Sequence, residues 1–423
     1  MRIAFVAQPI DSLRPPVQGG SLALWIYQVA RLCARRGHET VVFANHGSFL
    51  KSGSATHQGV GYIYTPTGLN RCFNKFHCAS SGAATAVGTR GNGVPQFASA
   101  WHDLGYAMQV GRRSKRLQCD VVHIMNYSQF APVIRAFNPK GKICLHMECE
   151  WLTQLDYAVI EKRLRHVDLI TGCSEYITKT IAQRFPQFEK QCTTVPNAAP
   201  MAEEYDRAHT HPYYVLFVGR VSPEKGVHVL VRAFHEVLTR FPQARLHIAG
   251  GIGSAPYDLL VGLSDDPHVA DLRVFYDRKR NGNKDPYAEC LEEDAGAELG
   301  KRIFFEGRVD HSQVGDYYKQ AAVLVNPSLS EAFGMSLVEA MMHRVPVVAS
   351  RVGGMTYIVD HGRTGLLVDP ADPRALAAAI CEILGDNDKA RRMGDAGRQR
   401  ALEKYTWEKT TDLLLQHFKT VAG

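Results

Sequence analysis

The sequence lacks long hydrophobic runs and regularly spaced cysteines. No apolar run among its 423 residues approaches the roughly 18 residues that a membrane-spanning helix needs. The ten cysteines form no CxxC pair and no regular series, which argues against a structural zinc motif and a secreted disulfide framework. The first residues, MRIAFVAQPI, have neither the long apolar core nor the cleavage site of a signal peptide. We therefore expect a cytoplasmic protein with reduced cysteines.

What the sequence does contain is typical of a soluble globular protein. Hydrophobic residues make up 45% and charged residues 22% of the chain. A chain of 423 residues is too long for one ordinary hydrophobic core, so its length suggests two or three domains.

Apolar strand patterns alternate with helical patterns along the chain. Strands are predicted at 2–8, 40–45, 120–125, 142–147, 169–174 and 192–197. After a polar linker at 201–212 the pattern restarts, with strands predicted at 213–220, 245–251, 303–309, 322–328 and 346–354. This alternation predicts an α/β fold with two parallel-sheet units, at 1–200 and 201–405, followed by a long helix at 406–423.

Two long connections interrupt these units. Residues 68–100 are rich in Gly, Ala and Ser, and residues 254–297 are charged and longer than one helix requires. We interpret both as surface insertions.

Charge is divided unevenly between the halves of the chain. Residues 1–200 contain 22 Lys and Arg against 11 Asp and Glu, a net charge of +11. The other residues contain 27 against 31, a net charge of −4, and the two values sum to +7. Basic clusters at 112–116 and 162–165 are each typical of a solvated surface. The asymmetry favours an N-terminal half that meets an anionic substrate or a membrane surface.

The stretch VGRVSPEKG at 218–226 follows a predicted strand and opens a helix. A turn separates Arg220 from Lys225, so both can point beyond the carboxyl end of the strand, where open α/β sheets bind ligands. A guanidinium and an ammonium that converge there suit a diphosphate. Taken alone, the two residues are equally consistent with an ordinary basic surface.

Two features of the first unit occupy comparable places. Gly19 and Gly20 precede a predicted helix, where glycine permits close approach of an anion to the helix N-terminus, although a simple turn explains them equally well. His146 ends a predicted strand, with Glu148 and Glu150 just beyond, and could reach a reacting sugar. The alternative for His146 is a structural role in the core.

The stretch EAFGMSLVE at 331–339 follows another predicted strand and is interpreted as the start of a helix. Two turns of helix would place Glu331 and Glu339 about 80° apart and about 12 Å along the axis. That reach suits the two ends of a nucleotide sugar, with Glu331 at the hexose and Glu339 at the ribose. The backbone amides of Phe333, Gly334 and Met335 would contact phosphate or sugar between them. A capping glutamate and an unrelated surface glutamate are the alternative.

With these motifs the chain resembles retaining glycosyltransferases of the GT-B fold, family 4. The resemblance rests on VGRVSPEKG, EAFGMSLVE, VASRVGGMTYIVDHGRTGLLVDPAD and the early GG…RGHE. Two departures stand out. Gly353-Gly354 is followed by Met355 and not by the usual glutamate, and Asn197-Ala198-Ala199-Pro200 replaces the usual N-G-[VI]-D.

The resemblance implies two Rossmann-like domains that face a cleft, an N-terminal domain for the acceptor and a C-terminal domain for the nucleotide sugar. It also implies that the last helix crosses back to the N-terminal domain. Arg220 and Lys225 would neutralise the diphosphate leaving group, Glu331 would position the hexose, Glu339 the ribose, and Gly20 the phosphates. His146 matches a histidine close to the anomeric region of the donor sugar.

The expected reaction is front-face hexosyl transfer with retention, from a UDP-sugar or, as a second choice, GDP-mannose. Metal and cofactor are not expected, because no DxD motif ends a strand of the second unit and the acidic residues at 265–266 and 369–372 fall in predicted loops. The acceptor would be a glycan, a lipid-linked or a small-molecule hydroxyl, with an anionic acceptor or peripheral membrane contact favoured by the basic N-terminal half. The alternatives are a GT-B phosphorylase, for which we identify no pyridoxal-phosphate lysine, a non-hydrolysing sugar-nucleotide epimerase, and a non-catalytic sugar-nucleotide binder.

Overall fold

A computed structural model describes residues 1–9, 13–17, 20–48, 50–70, 95–203, 211–278 and 285–423. The chain divides into two compact units. Unit 1 comprises Met1–Asn197 and Trp407–Gly423, and unit 2 comprises Ala198–Thr406. The predicted insertion at 68–100 lies largely outside the described residues. Within the described residues, no helix combines the length and the apolar character needed to cross a bilayer.

The strands run in chain order through both units. They are β1 Arg2–Val6, β2 Glu39–Asn45, β3 Gly53–His57, β4 Val60–Thr65, β5 Val121–Met125, β6 Lys142–Met147, β7 Leu169–Gly172, β8 Cys192–Thr194, β9 Tyr214–Val218, β10 Arg245–Ala249, β11 Ile303–Gly307, β12 Val323–Asn326, β13 Val347–Ser350 and β14 Gly365–Val368.

The α-helices of the described residues alternate with these strands. They are α1 Ser21–Arg35, α2 Leu104–Arg116, α3 Phe130–Phe137, α4 Trp151–Gln154, α5 Tyr157–Leu164, α6 Glu175–Arg184, α7 Val227–Arg240, α8 Pro267–Ala270, α9 Arg273–Asp277, α10 Pro286–Ala295, α11 His311–Gln320, α12 Met335–Met342, α13 Met355–Ile358, α14 Pro373–Gly385, α15 Asn387–Lys404 and α16 Trp407–Ala422.

The described residues of unit 1 form an eight-stranded sheet in the order β3-β4-β2-β1-β5-β6-β7-β8. Its strands are parallel except for the antiparallel β3–β4 pair. Every residue of β5 is buried, as expected for a parallel strand with both faces covered. The predictions missed β3 and β4. Three of the five residues of β3 are exposed, so this edge strand carries no apolar pattern.

The last helix, α16, belongs to unit 1. Arg36, just after α1, pairs with Asp412 at 2.5 Å, and Thr410 donates to the Pro196 carbonyl oxygen at 2.9 Å. The apolar side chains of Leu414 and Phe418 are fully buried. Burial of this apolar face, rather than the ion pair, supplies most of the stabilisation.

Unit 2 contains a six-stranded parallel sheet in the order β11-β10-β9-β12-β13-β14. The chain proceeds outward from β9 to β11 and then returns to the other side of β9 with β12. The direction of strand order therefore changes between β9 and β12, and a crevice opens at the carboxyl ends of such neighbouring strands.

The interpretation of residues 254–297 as a surface insertion was wrong. Tyr287, Leu291 and Ala295 of α10 are buried in the core of unit 2. A second apolar cluster joins this segment to the connection after β12, and its members are Val261, Val269, Leu272 and Leu329. The high charge of the segment concealed its buried positions. Its acidic residues also cap helices, as Asp266 does by accepting a hydrogen bond from the His268 amide at 2.8 Å.

Candidate active site

The candidate site of unit 2 lies where the loops after β9 and β12 meet. Lys225, on the first loop, donates from Nζ to Oε2 of Glu331 on the second loop at 2.8 Å. Both side chains are mostly enclosed, with exposed fractions of 22% for Lys225 and 15% for Glu331. The contact joins the two loops on either side of the reversal in strand order, which is the position where open α/β sheets bind ligands.

Arg220 has an acidic partner on its own loop, because its Nη2 donates to Oε1 of Glu224 at 2.6 Å. That Arg220 and Lys225 converge on a diphosphate stays a prediction. The side chain remains 47% exposed, so the guanidinium can still meet an anion on its open side. The loop thus carries an arginine that is already oriented by a carboxylate.

Glu224 is a site residue that the sequence analysis missed. Its side chain is only 1% exposed, and its Oε1 also accepts from the Ser222 hydroxyl at 2.6 Å. Although burial raises the pKa of Glu224, the Arg220 charge, the Ser222 hydrogen bond and the Lys225 charge together hold that pKa below its usual value. The available signal was the four-residue spacing from Arg220, which is typical of an ion pair.

The loop after β9 is packed so tightly that position 226 requires glycine. Gly226 has φ of +67°, and a Cβ at this position would lie 2.0 Å from the Pro327 carbonyl oxygen. The amide of Leu329 in turn donates to the Glu224 carbonyl oxygen at 2.8 Å. The two loops are therefore held together by backbone as well as by the Lys225–Glu331 contact.

Glu331 does not start a helix, so the predicted spacing of the two glutamates was wrong. Helix α12 begins at Met335, after Gly334 with φ of +112°. Glu331 precedes the helix in an irregular loop, and only Glu339 is helical. The first amides of a helix have no intrahelical partners, which applies to Gly334 at the N-cap and Met335 at the first position of α12, while the Phe333 amide lies just before the helix.

Glu339 is held by Tyr318, a residue that the sequence did not suggest. The Tyr318 hydroxyl donates to Oε2 of Glu339 at 2.7 Å. Burial raises the pKa of Glu339, and the hydrogen bond from Tyr318 opposes that rise. The second carboxylate oxygen can therefore accept a hydrogen bond from a ligand hydroxyl while Tyr318 fixes the first.

The Gly353-Gly354 turn packs against the loop that carries Glu331. The Gly354 amide donates to the Glu331 carbonyl oxygen at 2.9 Å. A Cβ on Gly354 would lie 2.2 Å from the Ala332 carbonyl oxygen, so only glycine allows this approach. The glutamate that usually follows the turn is replaced by Met355, which is fully buried and begins α13.

In unit 1, Gly20 precedes α1 and Gly19 lies outside the described residues. Gly20 has φ of +80°, in the left-handed region that favours glycine, and the first turn of α1 contains no acidic residue. The amino end of α1 therefore retains the partial positive charge that attracts anions. The glycine at position 20 is explained by the backbone conformation alone.

His146 is enclosed in the core of unit 1, and the expectation that it reaches a reacting sugar is not met. Its ring has no exposed area and stacks on Trp25 at 4.6 Å. Nδ1 lies 2.8 Å from the Thr171 hydroxyl and Nε2 lies 3.2 Å from Oε1 of Glu148. Both ring nitrogens thus have partners. The sequence showed a strand end but not the distant Trp25 that covers the ring.

Glu148 is the residue that His146 positions. Its other oxygen, Oε2, accepts from Nδ2 of Asn197 at 2.6 Å, and its amide donates to Oδ1 of Asn126 at 2.7 Å. Asn126 has φ of +60°, an uncommon conformation for a residue other than glycine. Through these contacts, the carboxyl ends of β5 and β6 and the segment after β8 all lie next to the Glu148 carboxylate.

Two family models together match most of the chain. The model of Glycosyltransferase Family 4 matches residues 22–203, and the model of Glycosyl transferases group 1 matches residues 203–400. The chain belongs to this family of GT-B glycosyltransferases.

The similarity to individual proteins is low in sequence identity. D-inositol 3-phosphate glycosyltransferase of Corynebacterium urealyticum is 32% identical over 207 residues, which are 48% of this chain and 42% of that relative. This chain therefore matches less than half the length of that enzyme. Among solved structures, sucrose-phosphate synthase of Thermosynechococcus elongatus shares the fold with a TM-score of 0.69 and 22% identity, over 99% of this chain and 98% of that chain. Alr3699/HepE of Anabaena in complex with UDP and glucose shares it with a TM-score of 0.63 and 18% identity, over 99% of this chain and 100% of that chain.

Proposed function

We propose that the protein is a retaining glycosyltransferase that moves a hexose from a nucleoside-diphosphate sugar to an acceptor hydroxyl. The observation that carries this proposal is the Lys225–Glu331 contact at the reversal of strand order, with Arg220 on the same loop. One cation and one carboxylate lie 2.8 Å apart, and this pairing suits a phosphate beside a hydroxyl. A sugar joined to a phosphate presents those two features to a protein.

The cations stabilise the leaving group in this proposal. Arg220 and Lys225 neutralise the charge that develops on the departing diphosphate, and the amides of Phe333, Gly334 and Met335 donate to its oxygens. We propose no metal for this step, since the two side chains supply the positive charge.

The carboxylates orient the sugar nucleotide. Glu331 accepts hydrogen bonds from hexose hydroxyls, and Glu339, fixed by Tyr318, accepts from the ribose diol. The bond from the anomeric carbon to the diphosphate oxygen breaks, and the acceptor oxygen bonds to the same face of that carbon. Bonding on the same face retains the anomeric configuration, and the acceptor proton passes to the departing diphosphate oxygen.

A UDP-sugar is the donor that we favour over GDP-mannose. The support is the fold shared with Anabaena Alr3699/HepE, whose structure holds UDP and glucose.

A panel of UDP-, GDP- and ADP-sugars, tested first without acceptor, examines the proposal. Thermal shift reports binding, and release of free sugar reports slow donor hydrolysis. We expect one nucleotide series to raise the melting temperature and its sugar form to be hydrolysed slowly. Formation of an epimeric nucleotide sugar would favour the epimerase, binding without any turnover would favour the binder, and no binding at all would contradict the proposal.

We also propose that unit 1 contacts anionic surfaces through α2. Arg112, Lys115 and Arg116 of this helix are exposed, and the helix lies in the half of the sequence with a net charge of +11 (22 Lys and Arg against 11 Asp and Glu). Clustered basic residues are attracted to membranes that contain anionic lipid, and the attraction increases with the negative charge of the membrane surface. Flotation with phosphatidylserine vesicles should recover more protein than flotation with neutral vesicles, and R112E/K115E should abolish the difference. Equal recovery with both vesicles would exclude this contact.

A further inference from the structure

Arg163 is a buried cation without an acidic partner in the described part of the chain. The prediction that its cluster is a solvated surface fails at this residue, which is only 7% exposed. Nη2 donates to the Ala98 carbonyl oxygen at 2.6 Å and Nη1 to the Ser128 hydroxyl at 3.3 Å. No ion pair joins it to a described carboxylate, and residues 71–94 contain no Asp or Glu. Burial alone lowers its pKa to about 10, so it remains charged at neutral pH.

A second arginine of the same unit shows the usual arrangement. Arg135 is partly buried and pairs with Asp168, and it also donates to the carbonyl oxygens of Gly141 and His166. Burying a charge is costly unless an opposite charge compensates it. Arg135 meets that condition through Asp168, whereas Arg163 has no such partner among the residues that the structure describes.

The position of Ser128 relates this cation to the ligand-binding edge of the sheet. Ser128 follows β5 by three residues, and β5 lies beside β1 at the point where the strand order of unit 1 reverses. Loops at such a point line ligand-binding crevices. The Ser128 hydroxyl accepts from Arg163, which leaves its own proton for another acceptor. A guanidinium has five N–H donors, and two of those of Arg163 are engaged in these contacts.

We propose that Arg163 and Ser128 form the anion-binding part of the acceptor site, and that the acceptor is a sugar or polyol that carries a phosphate or carboxylate group. This inference rests on the proposed glycosyltransferase function. The planar guanidinium binds either anion through two parallel hydrogen bonds. The net charge of +11 over residues 1–200, from 22 basic and 11 acidic side chains, favours the approach of such an acceptor.

Titration calorimetry of the UDP-loaded protein tests the ligand class. The probes are glucose, glucose 6-phosphate and glucuronate, together with myo-inositol and inositol 1-phosphate. We expect the charged member of at least one set to bind about tenfold or more tightly than its neutral member, with phosphate and glucuronate showing which anion is preferred. Equal affinities in a protein that binds UDP would overturn the inference. A protein that binds no nucleotide would overturn the proposed function, and this inference with it.

Substitutions then locate the anion site. Arg163→Met should remove about tenfold or more of the preference for the charged probes, and Ser128→Ala should remove a smaller part while keeping the guanidinium. The matched control is Arg135→Lys, which changes an arginine already neutralised by Asp168 and should leave the preference intact. UDP affinity should be unchanged in all three variants. If Arg163→Met and Ser128→Ala lower only the melting temperature, Arg163 is a structural cross-link and the inference is wrong.

Discussion

Lys225 and Glu331 are 106 residues apart in the chain, and their contact depends on the parallel pairing of β9 with β12. Their residue types and places at strand ends could be predicted from the sequence. Glu224 could not be assigned in the same way, because a motif does not show which side chain turns inward. The burial of His146 was equally hidden, since it depends on the position of Trp25 on α1. Residue identity thus indicated which groups lie at the strand ends, but not which of those groups are buried.

Replacing Glu224 by Gln should weaken catalysis and stability together. The change removes the charge that orients Arg220 but keeps the size of the side chain. We expect kcat/KM to fall about tenfold, because the arginine loses its fixed direction, and the free energy of unfolding to fall by about 1–2 kcal/mol at pH 7. Steady-state kinetics and urea unfolding measure the two effects. Glu236→Gln, on the far part of α7, serves as the control, and equal behaviour of the two variants would contradict the role of Glu224.

The stability effect of Glu224 should also depend on pH in a defined direction. The pKa of Glu224 in the folded protein lies below the ordinary value of 4.5. Its charged form therefore stabilises the fold above that ordinary value, and this contribution is lost as pH falls through the folded-state pKa. The difference in unfolding free energy between wild type and Glu224→Gln should shrink between pH 6 and about pH 3.5. A difference that grows in acid would show that the carboxylate is not stabilised by Arg220.

Among the elements, the buried parallel strands were predicted best and the irregular segments worst. The β6 prediction matched Lys142–Met147, whereas the predicted strand at 346–354 ends at Ser350 because the glycine turn follows. The segment at 254–297 was misassigned because its charged residues mask the apolar positions of α10 that enter the core. Helix α12 begins four residues later than expected, since Gly334 adopts a conformation outside the helical region. Local pattern thus fails where long-range packing sets the ends of elements.

The glycine turn after β13 should be intolerant of any side chain. In Gly354→Ala the new Cβ would approach the Ala332 carbonyl oxygen to 2.2 Å, which forces the Glu331 loop to move. We expect nucleotide-sugar affinity to fall about tenfold or more, measured by calorimetry, because Glu331 leaves Lys225. Gly315→Ala on α11 is the control, since its nearest neighbour would be the His343 ring at 3.7 Å. Unchanged affinity in Gly354→Ala would show that the turn does not position Glu331.

At the scale of the whole molecule, both units contain histidines that folding keeps neutral. His123 in unit 1 has no exposed area, and neither of its ring nitrogens has a hydrogen-bond partner within the described part of the chain. Burial lowers the pKa of His123 well below its usual value, and burial lowers the pKa of His228 in unit 2 to about 3. The unfolded chain therefore binds protons near pH 6 that the folded chain does not. Acid should destabilise both units before the carboxylates titrate.

The free energy of unfolding should fall as pH drops from 7 to 5. Each such histidine contributes a slope of up to about 1.4 kcal/mol per pH unit below its unfolded-state pKa. His123→Phe should flatten the dependence of the unfolding free energy on pH, because it removes the titratable ring. Phenylalanine suits the position, since the neighbours Phe5, Trp25 and Phe418 form an aromatic environment. Urea unfolding at several pH values measures this, with the exposed His268→Gln as control. A slope that His123→Phe leaves unchanged would refute the assignment.

The binding energy of UDP to the wild-type protein and to Lys225→Ala, measured by titration calorimetry, tests the central claim most directly. Lys319→Ala, which removes an exposed lysine of α11 in the same unit, is the matched control. If the loops after β9 and β12 form the diphosphate site, Lys225→Ala should weaken UDP binding about tenfold or more while Lys319→Ala leaves it unchanged. Equal UDP affinity in all three proteins would contradict the account, since Lys225 would then lie outside the donor site.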